Sequence, residues 1–368
     1  MKRMLFFAAV TAVALSSCSE NEVVTSALDG HAIGFTNYIG TSSKASDTST
    51  TTVNATDSSM GVYAAFEATD GGTAAYPDFM YNQEVKYASM GWTYSPIKYW
   101  PSTGLLDFWA YWPYSSNTAT ADATTASTGP AAVSFTQNDA LADMIDFIYA
   151  TTADQTYNST DPKVDFEFQH ALSRIGFVAR PDATLATTSA DYSTFITVTG
   201  VKVTPKTNKV ISNGTLTFSE TSATMAVATS DESYHASSWT LGLVSDTEVK
   251  LWDSSVADFS TTAAQATTTD NIALGDTDDY IFIVPQTLEK ADLSVEVTYT
   301  MTTYSAATTV SSTVTGQIKT VDVPYKIYKQ GYSYIYPLVI GLDAIEFDAP
   351  TVSETWGLGL GASADLSL

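Results

Sequence analysis

The residues with the greatest chemical reach in this 368-residue chain are one cysteine and three histidines. His31, His170 and His235 are too far apart to form an H-x-x-x-H pair, and Cys18 has no second cysteine with which to hold zinc or close a disulfide. No G-x-S-x-G, phosphate-loop or dinucleotide glycine pattern occurs. Asp276, Asp278 and Asp279 in G-D-T-D-D-Y could offer oxygens to calcium, but the full calcium-loop spacing is absent and the stretch reads as an acidic turn. Paired carboxylates for glycoside hydrolysis depend on a separation that only three dimensions define. The sequence therefore reads as a non-enzyme with neither metal nor cofactor. Its chemistry narrows to two places, the Cys18 thiol and the Lys44–Ala45 peptide bond.

Cys18 ends a recognisable run. Lys2 and Arg3 give a basic start, Leu5 to Leu15 are mostly apolar, and L-S-S-C closes the run with small residues before the cysteine. The apolar run is too short to span a bilayer as a mature helix, so residues 1–17 read as a cleaved signal peptide of the bacterial lipoprotein type. An ordinary secretory signal with an incidental cysteine is the alternative. Lipid on Cys18, two or three acyl chains on one residue, is enough for a stable outer-membrane anchor. Ser19-Glu20-Asn21-Glu22 resembles the acidic signals that carry such proteins to the outer surface.

Lys44–Ala45 lies within Thr41 to Ser59, where Val53 is the one sizeable apolar residue. Such a stretch cannot bury itself and reads as an exposed loop that a trypsin-like protease can reach. A merely solvated lysine is the competing reading.

The elements around these places are strands. Thr, Ser, Val, Tyr and Ala dominate, and turn clusters recur throughout, so the composition predicts an all-β chain. The net charge is −24, and loss of Lys2 and Arg3 with the signal makes the mature chain two units more negative. A chain this acidic repels nucleic acid and anionic lipid. After a tether at Val23–Gly30, Ile33, Phe35 and Ile39 alternate with Gly34, Thr36 and Tyr38 as a strand. Further strands are expected at 60–66, 77–87, 91–100 and 105–114, with a loop at 115–130 and either a strand or a short helix at 143–150. The aromatic run Trp92 to Tyr114 is either core or a sugar-stacking surface built on Trp92, Trp100, Trp109 or Trp112, and cross-strand packing is the commoner use of such rings. Length allows about two domains of ~150 residues. The expected divisions are the signal at 1–17, tether, first strand and loop at 18–59, one sandwich at 60–165, a second at 166–350, and a tail at 351–368. In the second half Tyr332, Tyr334, Tyr336, Leu338 and Ile340 fall on one strand face.

The tail itself keeps a strict period of two. Trp356, Leu358, Leu360, Ala362, Ala364, Leu366 and Leu368 alternate with Gly357, Gly359, Gly361, Ser363, Asp365 and Ser367. No turn signal folds it back as a hairpin. Two destinations are open to it: the edge of its own sheet, or the sheet of a neighbouring molecule.

Together with the L-S-S-C signal and the I-G-F strand, the ordered set L-D-F-W-A-Y-W-P-Y, F-E-F-Q-H-A-L-S-R-I-G-F, Y-I-F-I-V-P-Q-T-L, Y-K-Q-G-Y-S-Y-I-Y-P-L-V-I-G and V-S-E-T-W resembles the fimbrillin family, lipoprotein precursors of surface pili of anaerobes. The resemblance implies two transthyretin-like antiparallel β-sandwich domains. It also implies that a protease removes the N-terminal segment with its first strand, here Ile33, Phe35 and Ile39, by cutting near Lys44–Ala45. A strand from an identical or related subunit then fills the vacated groove by antiparallel addition. The tail from Trp356 is the candidate donor. Members of the family are cut after arginine, whereas no Arg lies between Arg3 and Arg174; either a protease accepting lysine acts, or the subunit stays anchored.

Cys18→Ala in the native host is expected to accumulate uncleaved precursor and to lose surface display. Surface labelling of the variant at wild-type level would rule out the lipoprotein signal.

Overall fold

The computed structural model describes residues 27–39, 53–69, 77–88, 91–114, 132–138, 141–182, 193–206, 209–218, 237–241, 244–245, 249–250, 257–260, 272–273, 280–306, 309–324, 326–341 and 344–353. Cys18, Lys44, Ala45 and the tail from Trp356 to Leu368 lie outside them.

The first twelve strands are β1 (Ala27–Ala32), β2 (Gly34–Ile39), β3 (Ser59–Glu67), β4 (Met80–Ala88), β5 (Gly91–Thr93), β6 (Tyr99–Pro101), β7 (Leu105–Trp112), β8 (Ala132–Thr136), β9 (Ile148–Gln155), β10 (Lys163–His170), β11 (Ser173–Pro181) and β12 (Ser193–Pro205). One seven-stranded sheet runs in the order β2, β10, β9, β7, β3, β4, β5. Of the open stretch at 143–150, Asp143 ends a turn of 3-10 helix at Leu141–Asp143 and Ile148 to Ala150 begin β9. The expected tether also changes character, because Ala27 to Ala32 pair with Pro101 to Tyr99 as β1 on β6. Val53, the lone apolar residue of the expected loop, is fully buried.

The central strands β3 and β7 are buried on both faces, which is why L-L-D-F-W-A-Y-W reads as a continuous apolar run. One face carries Met60, Val62, Ala64, Leu106, Phe108 and Ala110 into a core shared with β2 and β10. The other carries Tyr63, Trp109 and Tyr111 against a three-stranded sheet in which β8 pairs with Asn213–Phe218, and that strand pairs with Ser237–Leu241. A third core lies between β11 with Ser333–Ile340 on one side and β12 with Leu293–Ala306 on the other. There Tyr332, Tyr334, Tyr336, Leu338 and Ile340 are all buried, as their alternation predicts.

Among the described residues most ladders are antiparallel, but two depart from the expected pattern. β2 runs parallel to β10, and β11 runs parallel to Ser333–Ile340. Both pair strands more than a hundred residues apart, with several strands between them. A two-residue hairpin imposes antiparallel pairing; a long crossover permits the parallel arrangement.

Between β10 and β11 only Ala171 and Leu172 intervene, and both are buried. Around this joint the chain satisfies its polar groups closely. Ala171 N donates to Phe147 O, Gly331 N to Leu172 O, Ser173 Oγ to Lys329 O at 2.6 Å and Arg174 Nε to Ser333 Oγ at 2.9 Å. Arg174 lies 4.3 Å over the Tyr280 ring, and Gln330 Nε2 donates to Tyr149 Oη at 2.7 Å.

Gly61 shows how closely the seven-stranded sheet is packed. A Cβ at this position would fall on the Tyr111 ring, which is fully buried and donates its hydroxyl to Asn82 Oδ1 at 2.7 Å. Gly61→Ala is expected to cost about 1–3 kcal/mol through overpacking. Urea unfolding should show it as a lower midpoint at unchanged m-value.

Candidate functional site

β2 is the site's centre, and its sequence dictates its placement. The side chains of Ile33, Phe35, Asn37 and Ile39 point inward by strand alternation, and each is at least nine-tenths buried, while Tyr38 remains 47% exposed. Phe35 stacks on Phe166 of β10, with centroids 5.5 Å apart and planes at 13°, and meets Phe108 edge-on at 6.0 Å. Gly34 sits beneath the stem of Lys163, where a Cβ would come 3.2 Å from Cγ.

The ladder from Gly34↔Lys163 to Ile39↔Phe168 holds β2 at the edge of the sheet. β10 pairs with β9 only at Gln169 and His170, so over Lys163–Phe168 its registered ladder partner is β2. His170 Nδ1 lies 2.9 Å from Asp146 Oδ1, both groups buried, at the end of β10 beside those last two pairs. The far rim is made by the segment after β4. Ile33 N donates to Lys98 O at 2.9 Å, Tyr94 Oη to Ile33 O at 3.0 Å and Trp92 Nε1 to Asn37 Oδ1 at 2.9 Å. On β1 the His31 ring packs on Tyr157 with centroids 4.1 Å apart.

The strand thus lies in a groove with an aromatic floor and a hydrogen-bonding rim. Burial of Ile33, Phe35 and Ile39 contributes about 1.5–3 kcal/mol each, together comparable to a domain's whole stability of ~5–15 kcal/mol. Such a strand does not leave an empty groove behind at equilibrium.

The sequence reading named Ile33, Phe35 and Ile39, offered Trp92 only as a sugar platform, and passed over Asn37 and Tyr94. Asn37 was legible by parity, since it falls on the same face. The rim was not, because residues 92–98 meet residues 33–37 only through the curl of the sheet.

Of the tryptophans offered as sugar platforms, two are in the core and two are partly buried and hydrogen-bonded within the fold. Trp100 and Trp109 are each 1% exposed, Trp100 Nε1 donates to Pro162 O at 3.1 Å and Trp112 Nε1 to Ser58 Oγ at 2.8 Å. At the other end of the chain, Thr351–Ser353 pair antiparallel with Ser333–Ile335, so the backbone leading to the tail lies on its own sheet up to Ser353. Arg180 Nη2 and Asp348 Oδ2 meet at 2.6 Å just before it, and the guanidinium's hydrogen bond holds the Asp348 carboxyl below its ordinary value. Among the described residues no group of three or more His, Cys, Asp and Glu is placed to hold a metal ion.

Comparison with known proteins adds to this geometry. Residues 44–354 match a family described as fimbrillin-like, a span that leaves β2 and most of the tail outside it. The fimbrium subunit Fim1C of Phocaeicola vulgatus is 27% identical, with 93% of each chain covered. A crystal structure of a fimbrial protein from Bacteroides vulgatus is 22% identical and superposes with a TM-score of 0.61, covering 89% of this chain and 99% of that one. The likeness in structure is one of fold. These relatives are named as fimbrial proteins and not as enzymes.

Phe35→Ala is expected to destabilise the full chain by about 3–5 kcal/mol, the usual cost of truncating a buried phenylalanine. Equilibrium urea unfolding checks it. A loss below 1 kcal/mol would mean that β2 contributes little to the fold.

Proposed function

The chain belongs to the fimbrillin-like family, and from that premise we propose that it is a structural subunit of an adhesive surface fimbria, assembled by exchange of its first strand. The observation that carries this reading is β2 itself, an edge strand that fills an apolar groove and is the ladder partner of β10 over Lys163–Phe168.

The steps follow from the parts. Export as a lipoprotein on Cys18 holds the precursor at the outer membrane. Its partners there are a processing protease and other fimbrial subunits. Cleavage at Lys44–Ala45 severs β1 and β2 from β3, after which only noncovalent contacts retain the strand. The tail of an identical or related subunit then enters beside β10, Trp356, Leu358, Leu360, Ala362, Ala364, Leu366 and Leu368 offering the apolar face. A contact between two different surfaces, repeated head to tail, does not close and builds a filament.

The division into sandwich units at 60–165 and 166–350 belongs to the same reading. Two units are supported by one core drawn from Ile33 to Phe168 and another drawn from Ile175 to Ile345, which meet after β10 rather than at residue 165. A third core, with residues from both, joins them. The run from 351 to 368 serves as root and donor, with Thr351–Ser353 as the root.

Truncation after Thr355 tests the reading. The monomer should keep its melting temperature, because Thr351–Ser353 and the cores remain, and it should no longer form SDS-resistant ladders on cells. A strongly lowered melt would return the tail to its own sheet. Undiminished ladders would remove it from assembly.

A further inference from the structure

Asn37 is the one polar side chain on the inward face of β2. It is nine-tenths buried, its Oδ1 accepts from Trp92 Nε1 at 2.9 Å, and its Nδ2 has no hydrogen-bond partner. Turning the amide over does not help, since Nδ2 would then face the indole N–H donor to donor. Leaving a buried donor unsatisfied weakens a structure more than an apolar group of similar shape would. The strand is therefore held by Ile33, Phe35 and Ile39 and loosened between Phe35 and Ile39. Across the ladder Asn37 registers with Phe166, in the middle of the groove.

Resting on the strand-exchange reading, we propose that Asn37 makes the resident strand the weaker ligand for its own groove, which therefore favours the tail of a second copy. The tail's apolar phase runs Trp, Leu, Leu, Ala, Ala, Leu, Leu and brings no amide to bury. Without the amide the Trp92 N–H is not stranded, because Trp92 is only partly buried and solvent can accept it. The exchange gains direction because the resident strand alone of the two ligands puts an amide on the inward face. Asn37 acts through the strand's hold on the groove, as a positioning residue that sets which strand the groove retains.

The test compares the full chain with Asn37→Val and with Asn37→Val/Trp92→Phe, the second variant removing both polar partners together. Hydrogen–deuterium exchange is followed by mass spectrometry over residues 33–39 and 163–168, with 333–340 as the control for an intact fold. Exchange across β2 and β10 is expected to slow about tenfold in the double variant, the equivalent of about 1.4 kcal/mol, and to slow less in the single one. Unchanged or faster exchange there, with 333–340 still protected, overturns the proposal, because Asn37 would then be an anchor. Should the double variant fail to fold, the single variant is judged by the same criterion. Ladder formation is timed in parallel, and should slow by a similar factor. Equal rates for wild type and variant also overturn the proposal. If the wild type itself never forms ladders, the strand-exchange reading fails, while the exchange rates still report whether Asn37 loosens β2.

Discussion

The structure depends on the run from Lys163 to Pro181, two strands joined by two buried residues. β10 takes β2 along one side, and β11 takes Ser333–Ile340. Both partners lie parallel to the run, and both come from far away in sequence. The joint cannot bend freely, because Ala171 and Leu172 are buried in the shared core and tied to Phe147 and Gly331, and the next two residues, Ser173 and Arg174, are tied to Lys329 and Ser333. F-Q-H-A-L-S-R-I-G-F is therefore a structural motif. Its histidine meets a buried aspartate, and its arginine lies on an aromatic ring and donates to a serine hydroxyl.

From that joint follows the peculiarity of β2. A strand in the middle of a sheet is held on two sides, whereas β2 is held by one ladder, an aromatic floor and a few rim bonds. Its apolar anchors are strong enough that spontaneous loss is unfavourable. Its edge position nonetheless means that departure breaks one ladder rather than two. Strength from burial and accessibility from topology are separate properties here, and exchange of one strand for another needs both.

Much of the fold was legible, and the failures have physical causes. Period-two alternation located β2 and Ser333–Ile340, because each presents a regular face to a core. The aromatic run from Trp92 to Tyr114 resisted interpretation because β7 is covered on both faces, and a doubly buried strand loses its alternation. β8 was passed over since A-V-S-F-T is short and its partner, Asn213–Phe218, lies far along the chain. The two parallel ladders were out of reach for the same reason, as register between distant strands is a tertiary property. At the groove, three of the four inward residues were read, and the fourth was missed because an asparagine among apolar residues looks like an interruption. The rim at Trp92 and Tyr94 left no periodic trace at all.

The geometry also bears on how a filament of such subunits carries tension. The residues leading to the tail run antiparallel to Ser333–Ile340, first as Ile345–Phe347 and then as Thr351–Ser353. Ser333–Ile340 is in turn laddered to β11 from Arg174 to Pro181, and β11 continues through the buried joint into β10, the wall of the groove. In the strand-exchange reading proposed above, a pull between the tail's root and the groove passes through these ladders. The Arg180–Asp348 contact ties the end of β11 to the turn between the two root segments. Asp348 is half exposed, so solvent screening keeps this pair's contribution to within about 1 kcal/mol. Its carboxyl is held below the ordinary value by the guanidinium, so that contribution is present above the unfolded aspartate's pKa and fades as pH falls through the folded one. The ladder, whose hydrogen bonds do not titrate, carries the load in either case.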